Sequence, residues 1–156
     1  MSITIAPETP LQDEVRSLIA ALNARLLLVT PPEHCHHMSV EEMARPDTTV
    51  FIAREADVAI ACGALRRHQA GIAEVKRMYT VPAAQGRGVG GRILEAITRL
   101  AEQERFRRLV LETGTEGFEA AWRVYERAGF RRCGPVLDYP PSPFTAFYEK
   151  ALGPLP

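Results

Sequence analysis

The sequence has little that would place it in an oxidising compartment or in a membrane. Its 156 residues contain three cysteines, Cys35, Cys62 and Cys133, which are widely spaced and form no C-x-x-C pair. An odd, scattered set of this kind argues against a disulfide framework. No apolar run approaches the roughly 18 residues of a membrane-spanning helix. The first residues also lack the basic segment and apolar core of a secretory signal. We therefore expect a cytoplasmic protein.

The sequence also lacks an excess of either charge. Lysine and arginine together number 19, as do aspartate and glutamate, so the formal net charge is zero. A neutral chain has no strong field to attract a nucleic acid or an anionic membrane, and we expect neither partner. The composition is that of an ordinary globular protein, and the length favours a single domain over residues 1–156.

Hydrophobic periodicity predicts the element order β α α β β β α β α β β. Consecutive strands in the first half favour antiparallel hairpins, whereas the later strand–helix–strand unit favours a parallel pair. We therefore expect an α/β (α+β) fold with a mixed, mostly antiparallel sheet and helices on both faces. The predicted strands are 3–6, 48–55, 57–67, 71–81 and 107–113, followed by one in FRRC and one in SPFTAFYEKAL.

Two capping signals predict where helices begin. Thr9, Pro10 and Gln12 combine a capping threonine, a proline at the first helical position and a glutamine three residues after the cap. Ser39 and Glu42 form a second capping box. We expect a helix to start at each.

The strand at 71–81 alternates imperfectly. The apolar residues Val75 and Tyr79 occupy odd-numbered positions, which share one face of a regular strand, whereas Met78 occupies an even-numbered position on the other face. A one-residue slip moves side chains to the opposite face, so we expect a β-bulge near Lys76–Met78.

A glycine-rich segment, QGRGVGGR at 85–92, follows that strand and opens an amphipathic helix at about 89–104. Glycines let backbone amides approach an anion without a side-chain clash, and the first amides of a helix have no internal partner. The helix dipole favours an anion at the same end, and Arg87 and Arg92 can add charge. The segment therefore predicts a phosphate or diphosphate site.

Two other phosphate-binding motifs also place glycines in such a loop. A P-loop requires Gly-Lys-Ser/Thr, whereas Gly91 is followed by arginine. Gly86, Gly88 and Gly91 do match the dinucleotide fingerprint G-x-G-x-x-G, and Glu112 stands where a ribose-binding acid would lie. That fingerprint starts almost directly after its strand, but PAAQ intervenes here. A dinucleotide-binding oxidoreductase is therefore the weaker alternative.

The segments AEVKRMYTVPAAQGRGVGGRILEAI and VYERAGF resemble the GCN5-related N-acetyltransferase (GNAT) family. The resemblance covers about residues 48–135 and includes the motif Gln85-x-x-Gly88-x-Gly90. It implies acetyl-CoA as cosubstrate, and transfer of an acetyl group to a primary amine of a small molecule or peptide by direct attack in a ternary complex. A non-catalytic acyl-CoA-binding module is the alternative within this fold.

The resemblance also implies how acetyl-CoA is held. The parallel strands, here 71–81 and 107–113, splay to admit the pantetheine arm, and the glycine loop takes the diphosphate. The implied cofactor-binding residues are Met78, Tyr79, Val81, Gln85, Gly86, Arg87, Gly88, Val89, Gly90, Gly91 and Arg92.

Three residues are candidates for proton transfer. Tyr125, in VYERAGF, resembles the tyrosine that many family members place near the thioester sulfur, so we assign it as the acid. Glu74 is the candidate base. Alternatively, Glu74 is a solvent-facing strand residue that pairs with Lys76 or Arg67. Glu112 could contact the amine or act as an alternative base, or it could be a surface carboxylate.

Several remaining residues are candidates for acceptor binding. The cluster PEHCHHM suggests a metal, but zinc ligands come as spaced groups from different segments, so we assign no metal and take His37 as a substrate contact. Arg66, Arg67 and Arg77 could bind a carboxylate, and we assign Arg77 as a substrate residue.

Two further expectations concern loops and cysteines. We interpret DYPPSP as a proline-stiffened loop, with Asp138 and Tyr139 bordering the acceptor pocket as the alternative. Cys62 and Cys133 are expected to be core residues rather than nucleophiles. Homodimerisation through sheet edges is left open.

Overall fold

The predicted order of strands and helices is confirmed by a computed structural model that describes residues 2–35 and 37–153. The elements are β1 (Ile3–Pro7), α1 (Asp13–Val29), α2 (Val40–Met43), β2 (Thr48–Glu55), β3 (Val58–Arg67), β4 (Ile72–Thr80), α3 (Val89–Gln103), β5 (Arg108–Gly114), α4 (Glu119–Arg127), β6 (Arg131–Cys133) and β7 (Thr145–Ala151). Single 3-10 turns at Pro32–His34 and Pro82–Ala84 complete the list.

The strands of the described chain form one sheet in the order β1-β2-β3-β4-β5-β7-β6. Its neighbouring strands are antiparallel except for β4 and β5, which run parallel. That parallel pairing spans only Ile72 to Glu74 against Arg108 to Val110. Beyond Glu74 the two strands separate, so the sheet forks. The predicted mixed sheet with one splayed parallel pair is therefore confirmed.

The predicted bulge in β4 is also confirmed. Arg77 has a left-handed φ of 54°, and the β3–β4 register shifts there, so that Gly63 lies opposite both Arg77 and Met78. A Cβ at Gly63 would lie 2.4 Å from Met78 Sδ and 2.6 Å from Ile93 Cγ2. Glycine at 63 therefore makes room for the bulged strand beneath α3.

Helices cover both faces of the sheet. On one face, Ile93, Leu94 and Ile97 of α3 are fully buried against the sheet in a core that also includes α4. On the other face, Val15 of α1 and Met43 of α2 pack on β2 and β3. No helix in the described part of the chain is long and apolar enough to cross a membrane.

The predicted start of the first helix is wrong. Helix α1 begins at Asp13, its N-cap is Gln12, and Gln12 makes no side-chain cap. The Gln12 side chain instead donates back to Glu8 Oε1 at 3.1 Å and to the Thr9 carbonyl at 2.8 Å. The Thr9 hydroxyl accepts the Leu11 amide at 3.1 Å, so it closes a local turn rather than a helical one.

The other helix boundaries agree with the sequence. At α2 the Glu42 amide donates to Ser39 Oγ and the Ser39 amide donates to Glu42 Oε1, both at 3.1 Å, which confirms the capping box. Beyond α4, Gly129 has a φ of 93°, a left-handed conformation that favours glycine.

Candidate active site

The fork between β4 and β5 opens into two adjoining cavities. The larger, about 310 Å³, lies at the start of α3 and is called here the glycine cavity. The smaller, about 140 Å³, contains Glu74 and Glu112 and is called the carboxylate cavity. The residues that line both are Leu22, Met78, Phe118, Ala121 and Tyr125. The two cavities therefore meet at one junction beneath α4.

The glycine cavity has the features of an anion site. Gly86 and Gly88 have left-handed φ values of 79° and 78°, and no described atom lies within 4 Å of a Cβ built on Gly86, Gly88 or Gly91. The first intrahelical bond of α3 is from the Arg92 amide to the Gly88 carbonyl at 3.2 Å, so the preceding helix amides have no acceptor in the helix. These residues fit the diphosphate of a coenzyme A group.

The polar side chains of the loop lie around this cavity rather than in it, with one exception. Gln85 lines the cavity and donates to the Thr80 carbonyl at 3.1 Å, so it ties the loop to β4. Arg87 makes a bidentate ion pair with Glu55, and Arg92 donates to a carbonyl of β1 at 3.1 Å. Neither arginine lines the cavity, so both proposed rim charges already have partners in the protein.

The free edge of β4 faces the fork. The Val81 amide donates to the Ile60 carbonyl of β3 at 2.9 Å, so Val81 has its partner on the β3 side. Backbone groups alternate between the two edges of a strand, so Tyr79 also faces β3, whereas Met78 and Thr80 face the fork. We therefore favour Met78 and Thr80 for backbone pairing with a bound ligand. Thr80 is not among the residues expected from the sequence, because the bulge decides which residues of β4 face the fork.

The carboxylate cavity is built around Glu74, which is only 1% exposed. Tyr139 donates its hydroxyl to Glu74 Oε2 at 2.6 Å, and Lys76 Nζ donates to the same oxygen at 3.2 Å. Lys76 Nζ also donates to the Tyr139 hydroxyl at 2.7 Å, and His68 Nε2 lies 2.8 Å from Glu74 Oε1. Glu74 is therefore a buried, multiply bonded carboxylate and not a solvent-facing one.

The DYPPSP segment is a loop, as expected from the sequence. Its Tyr139 also lines the carboxylate cavity, as the alternative proposes, whereas Asp138 does not. Burial, together with the neighbouring Glu74 carboxylate, raises the pKa of Tyr139 well above its usual value, so the phenol stays protonated. The sequence could not reveal this contact because 65 positions separate the two residues.

Glu112 reaches the same cavity from β5. The pKa of Glu112 is raised to about 7, chiefly by burial; the nearby Lys76 opposes this rise and Glu74 adds to it. A carboxyl with a pKa near neutrality can take up and release a proton under ordinary conditions. The alternative of a plain surface carboxylate does not fit this position.

Tyr125 lies at the junction of the two cavities. It is 7% exposed, and its ring centroid lies 6.2 Å from that of Phe130 and 5.9 Å from that of Tyr148. Burial raises the pKa of Tyr125 to about 12, so its hydroxyl carries a proton at neutral pH. Tyr125 is therefore a core aromatic that keeps its proton and lines both cavities.

Of the predicted acceptor residues, His37 and Arg77 line the carboxylate cavity. Arg66 and Arg67 do not, because they form ion pairs with Asp47 and Glu104 outside it. Within residues 2–35 and 37–153, no group of three histidine, cysteine, aspartate or glutamate side chains could hold a metal ion.

Of the two cysteines expected in the core, Cys62 is fully buried and Cys133 is partly buried. Burial raises the pKa of the Cys62 thiol to about 12, so this thiol stays protonated and is a poor nucleophile. Cys62 therefore gives no support to a covalent route.

The sequence matches the acetyltransferase (GNAT) family over residues 19–130. The chain belongs to this family. It is 37% identical over 153 residues to an IAA acetyltransferase from Azospirillum brasilense, across 97% of this chain and 99% of that protein. The resemblance found in the sequence motifs is therefore confirmed, and the family makes acetyl-CoA the cosubstrate, as predicted.

Solved structures of the GNAT family share the fold. A structure from Klebsiella pneumoniae subsp. pneumoniae, described as an acyl-CoA N-acyltransferase, has a TM-score of 0.83 at 29% identity, covering 97% of this chain and 98% of that one. A GNAT acetyltransferase from Elizabethkingia anophelis, solved with acetyl-CoA bound, has a TM-score of 0.69 at 19% identity. The match covers 96% of this chain and 98% of that one.

The dinucleotide-binding alternative does not fit this family or this sheet. A 3-10 turn at Pro82–Ala84 separates β4 from the glycine loop. The described sheet has one parallel pair, whereas the dinucleotide fold is built from successive parallel strands.

Proposed function

We propose that this protein is an N-acetyltransferase that moves the acetyl group of acetyl-CoA to a primary amine of a small molecule, by direct attack while both substrates are bound. One observation carries the proposal: the glycine cavity and the carboxylate cavity meet at Tyr125. The small volume of the carboxylate cavity, about 140 Å³, favours a small molecule over a peptide.

The donor belongs in the glycine cavity. The amides at the start of α3 hold its diphosphate, and the free edge of β4 at Met78 and Thr80 pairs with its pantetheine amides. When bound, acetyl-CoA supplies an acetyl group already activated as a thioester.

The base is a cavity carboxylate, and the geometry favours Glu112 over Glu74. An alkylammonium must lose a proton before it can attack. Both oxygens of Glu74 already have partners in His68, Lys76 and Tyr139, so this carboxylate is tied into the fold. Glu112 is less buried and its pKa is raised to about 7, which suits a base at neutral pH.

The acid is Tyr125. Its hydroxyl keeps a proton at neutral pH because burial raises its pKa to about 12. It stands at the junction, where a leaving sulfur would take up that proton.

Replacing Tyr125 by phenylalanine tests the activity and the acid together. We expect the wild type to release CoA from acetyl-CoA with at least one member of a panel of small primary amines. Tyr125→Phe should lower kcat by about 10²-fold, within the range for general acid catalysis, and leave acetyl-CoA affinity unchanged. Continuous detection of free thiol gives kcat, and calorimetry gives the affinity.

Tyr148→Phe is the matched control. Tyr148 is also a buried aromatic, but its hydroxyl donates to Glu126 at 2.8 Å and it lines neither cavity. Its kcat should equal that of the wild type. Tight acetyl-CoA binding without CoA release for any amine would instead support the non-catalytic acyl-CoA-binding module.

Replacing Gly88 by alanine tests the donor site. Gly88 caps α3 with a φ of 78°, so alanine there adds about 1 kcal/mol of backbone strain and turns the first helix amides away from the ligand. We expect acetyl-CoA affinity to fall about 10-fold, a loss of about 1.4 kcal/mol of binding free energy, when measured by calorimetry. Gly134→Ala, at an exposed glycine outside the cavity, should leave the affinity unchanged. Equal affinities in the two variants would contradict a diphosphate site at α3.

A further inference from the structure

The bulge in β4 turns Arg77 into the carboxylate cavity. Along a regular strand Arg77 would share the face of Val75, which packs in the α3 core. The bulge breaks this alternation, and Arg77 instead donates from Nη2 to Asn23 Oδ1 of α1, on the opposite face. Arg77 holds a left-handed φ of 54°, a conformation that costs a non-glycine residue free energy.

Arg77 brings a positive charge that the described protein does not neutralise. The residue is 8% exposed and forms no ion pair with any carboxylate among residues 2–35 and 37–153. Its hydrogen-bond partner Asn23 is neutral. The Nε atom of Arg77 has no hydrogen-bond partner within the described residues. Burial lowers the pKa of Arg77, as expected for a charge removed from water.

Neither carboxylate of the cavity, Glu74 or Glu112, forms an ion pair with Arg77 in the described part of the chain. Lys76 and Glu74 form their own ion pair at 3.2 Å, with Tyr139 bonded to both. A buried guanidinium is costly unless an anion pairs with it, and a carboxylate is the anion that its planar fork fits best. We therefore expect the ligand of this cavity to bring the anion that pairs with Arg77.

We infer that the acetyl acceptor is a small aminocarboxylate, whose carboxylate is held by Arg77 while its amine is directed to Glu112. This inference names the substrate class of the proposed acetyltransferase and rests on that function. It requires an acceptor that carries both charges within a few bonds of each other.

The size of the cavity favours a small acceptor. Its volume of about 140 Å³ is close to the roughly 150 Å³ of an apolar cavity that accommodates benzene. An acceptor of about six non-hydrogen atoms, such as alanine or β-alanine, therefore fits.

Matched acids and amides test the carboxylate directly. The wild type is assayed for CoA release with L-alanine, β-alanine and γ-aminobutyrate, each beside its carboxamide, which has nearly the same shape but no charge. We expect kcat/KM for the best acid to exceed that for its amide by about 10²-fold or more, because a buried charge pair is lost with the amide. Amides as good as their acids would overturn the inference.

Substitution of Arg77 tests the same contact from the protein side. In Arg77→Met the preference for the acid should disappear, and in Arg77→Lys it should be reduced. Arg66→Met is the matched control, because Arg66 pairs with Asp47 outside the cavity, and it should keep the full preference. Retained binding of acetyl-CoA shows that Arg77→Met is folded. An unchanged acid preference in folded Arg77→Met would reject this role for Arg77.

A binding measurement separates this inference from the proposed function. If no amine releases CoA, the acetyltransfer proposal fails, yet the same acids should still raise the melting temperature of the wild type and not that of Arg77→Met, because a ligand that binds the native state stabilises it. No shift in the wild type, or equal shifts in both proteins, would contradict a carboxylate site at Arg77.

Discussion

Glutamine in place of Glu112 is expected to lower kcat/KM by about 10²- to 10⁴-fold, the range for removal of a general base. The change keeps the size of the side chain but removes its ability to take up a proton from the acceptor amine. Acetyl-CoA affinity should be unchanged, because Glu112 lines the carboxylate cavity and not the glycine cavity. Steady-state kinetics and calorimetry on the same preparation measure the two quantities.

The pH profile gives a second signature of Glu112. Burial raises its pKa to about 7, and a base works only when it is deprotonated. The wild-type kcat/KM should therefore rise with pH through a midpoint near 7 and level off above it. In Glu112→Gln this rising limb should be absent from the residual activity.

Two comparisons show whether Glu112 itself is the base. Glu116→Gln, at an exposed position just after β5, should match the wild type in rate and in pH profile. Glu74→Gln should keep the rising limb near pH 7 if Glu74 acts by positioning its neighbours. Loss of that limb in Glu74→Gln and its retention in Glu112→Gln would assign the base to Glu74 instead.

Glutamine in place of Glu74 is expected to lower the free energy of unfolding by about 3 kcal/mol, the lower end for breaking a buried ion pair. The side chains of Lys76 and Glu74 are only 9% and 2% exposed. The substitution leaves Lys76 as a buried cation whose direct carboxylate partner is gone. Urea unfolding measures the effect, which should appear as a lower midpoint with an unchanged slope.

An exposed ion pair provides the matched control for Glu74. Glu95 and Arg99 lie four residues apart on α3, with side chains that are 59% and 71% exposed. Glu95→Gln should cost less than about 0.5 kcal/mol, because solvent screens such a pair. The double change Glu74→Gln with Lys76→Met should recover much of the lost stability, since it removes the stranded cation. A Glu74→Gln effect as small as that of Glu95→Gln would contradict a structural role for the buried pair.

The sequence by itself determined the features of this protein that depend on near neighbours in the chain. The glycine loop that opens α3, the capping box at Ser39 and the bulge in β4 follow from local patterns, and the structure confirms the helix start, the cap and the bulge. The first helix shows the limit even here: the Thr9 and Gln12 side chains bond within their own turn, and the helix starts later at Asp13.

Only the tertiary structure decided which polar groups share a cavity. Tyr139 meets Glu74 across 65 positions, and Arg77 meets Asn23 across 54. Local periodicity in the sequence does not reveal contacts between residues so far apart along the chain, because these contacts depend on how the chain crosses the sheet. The buried charges of Glu74, Arg77 and Glu112 follow from the same cause: the sequence supplies ionisable groups, and the fork between β4 and β5 removes them from water.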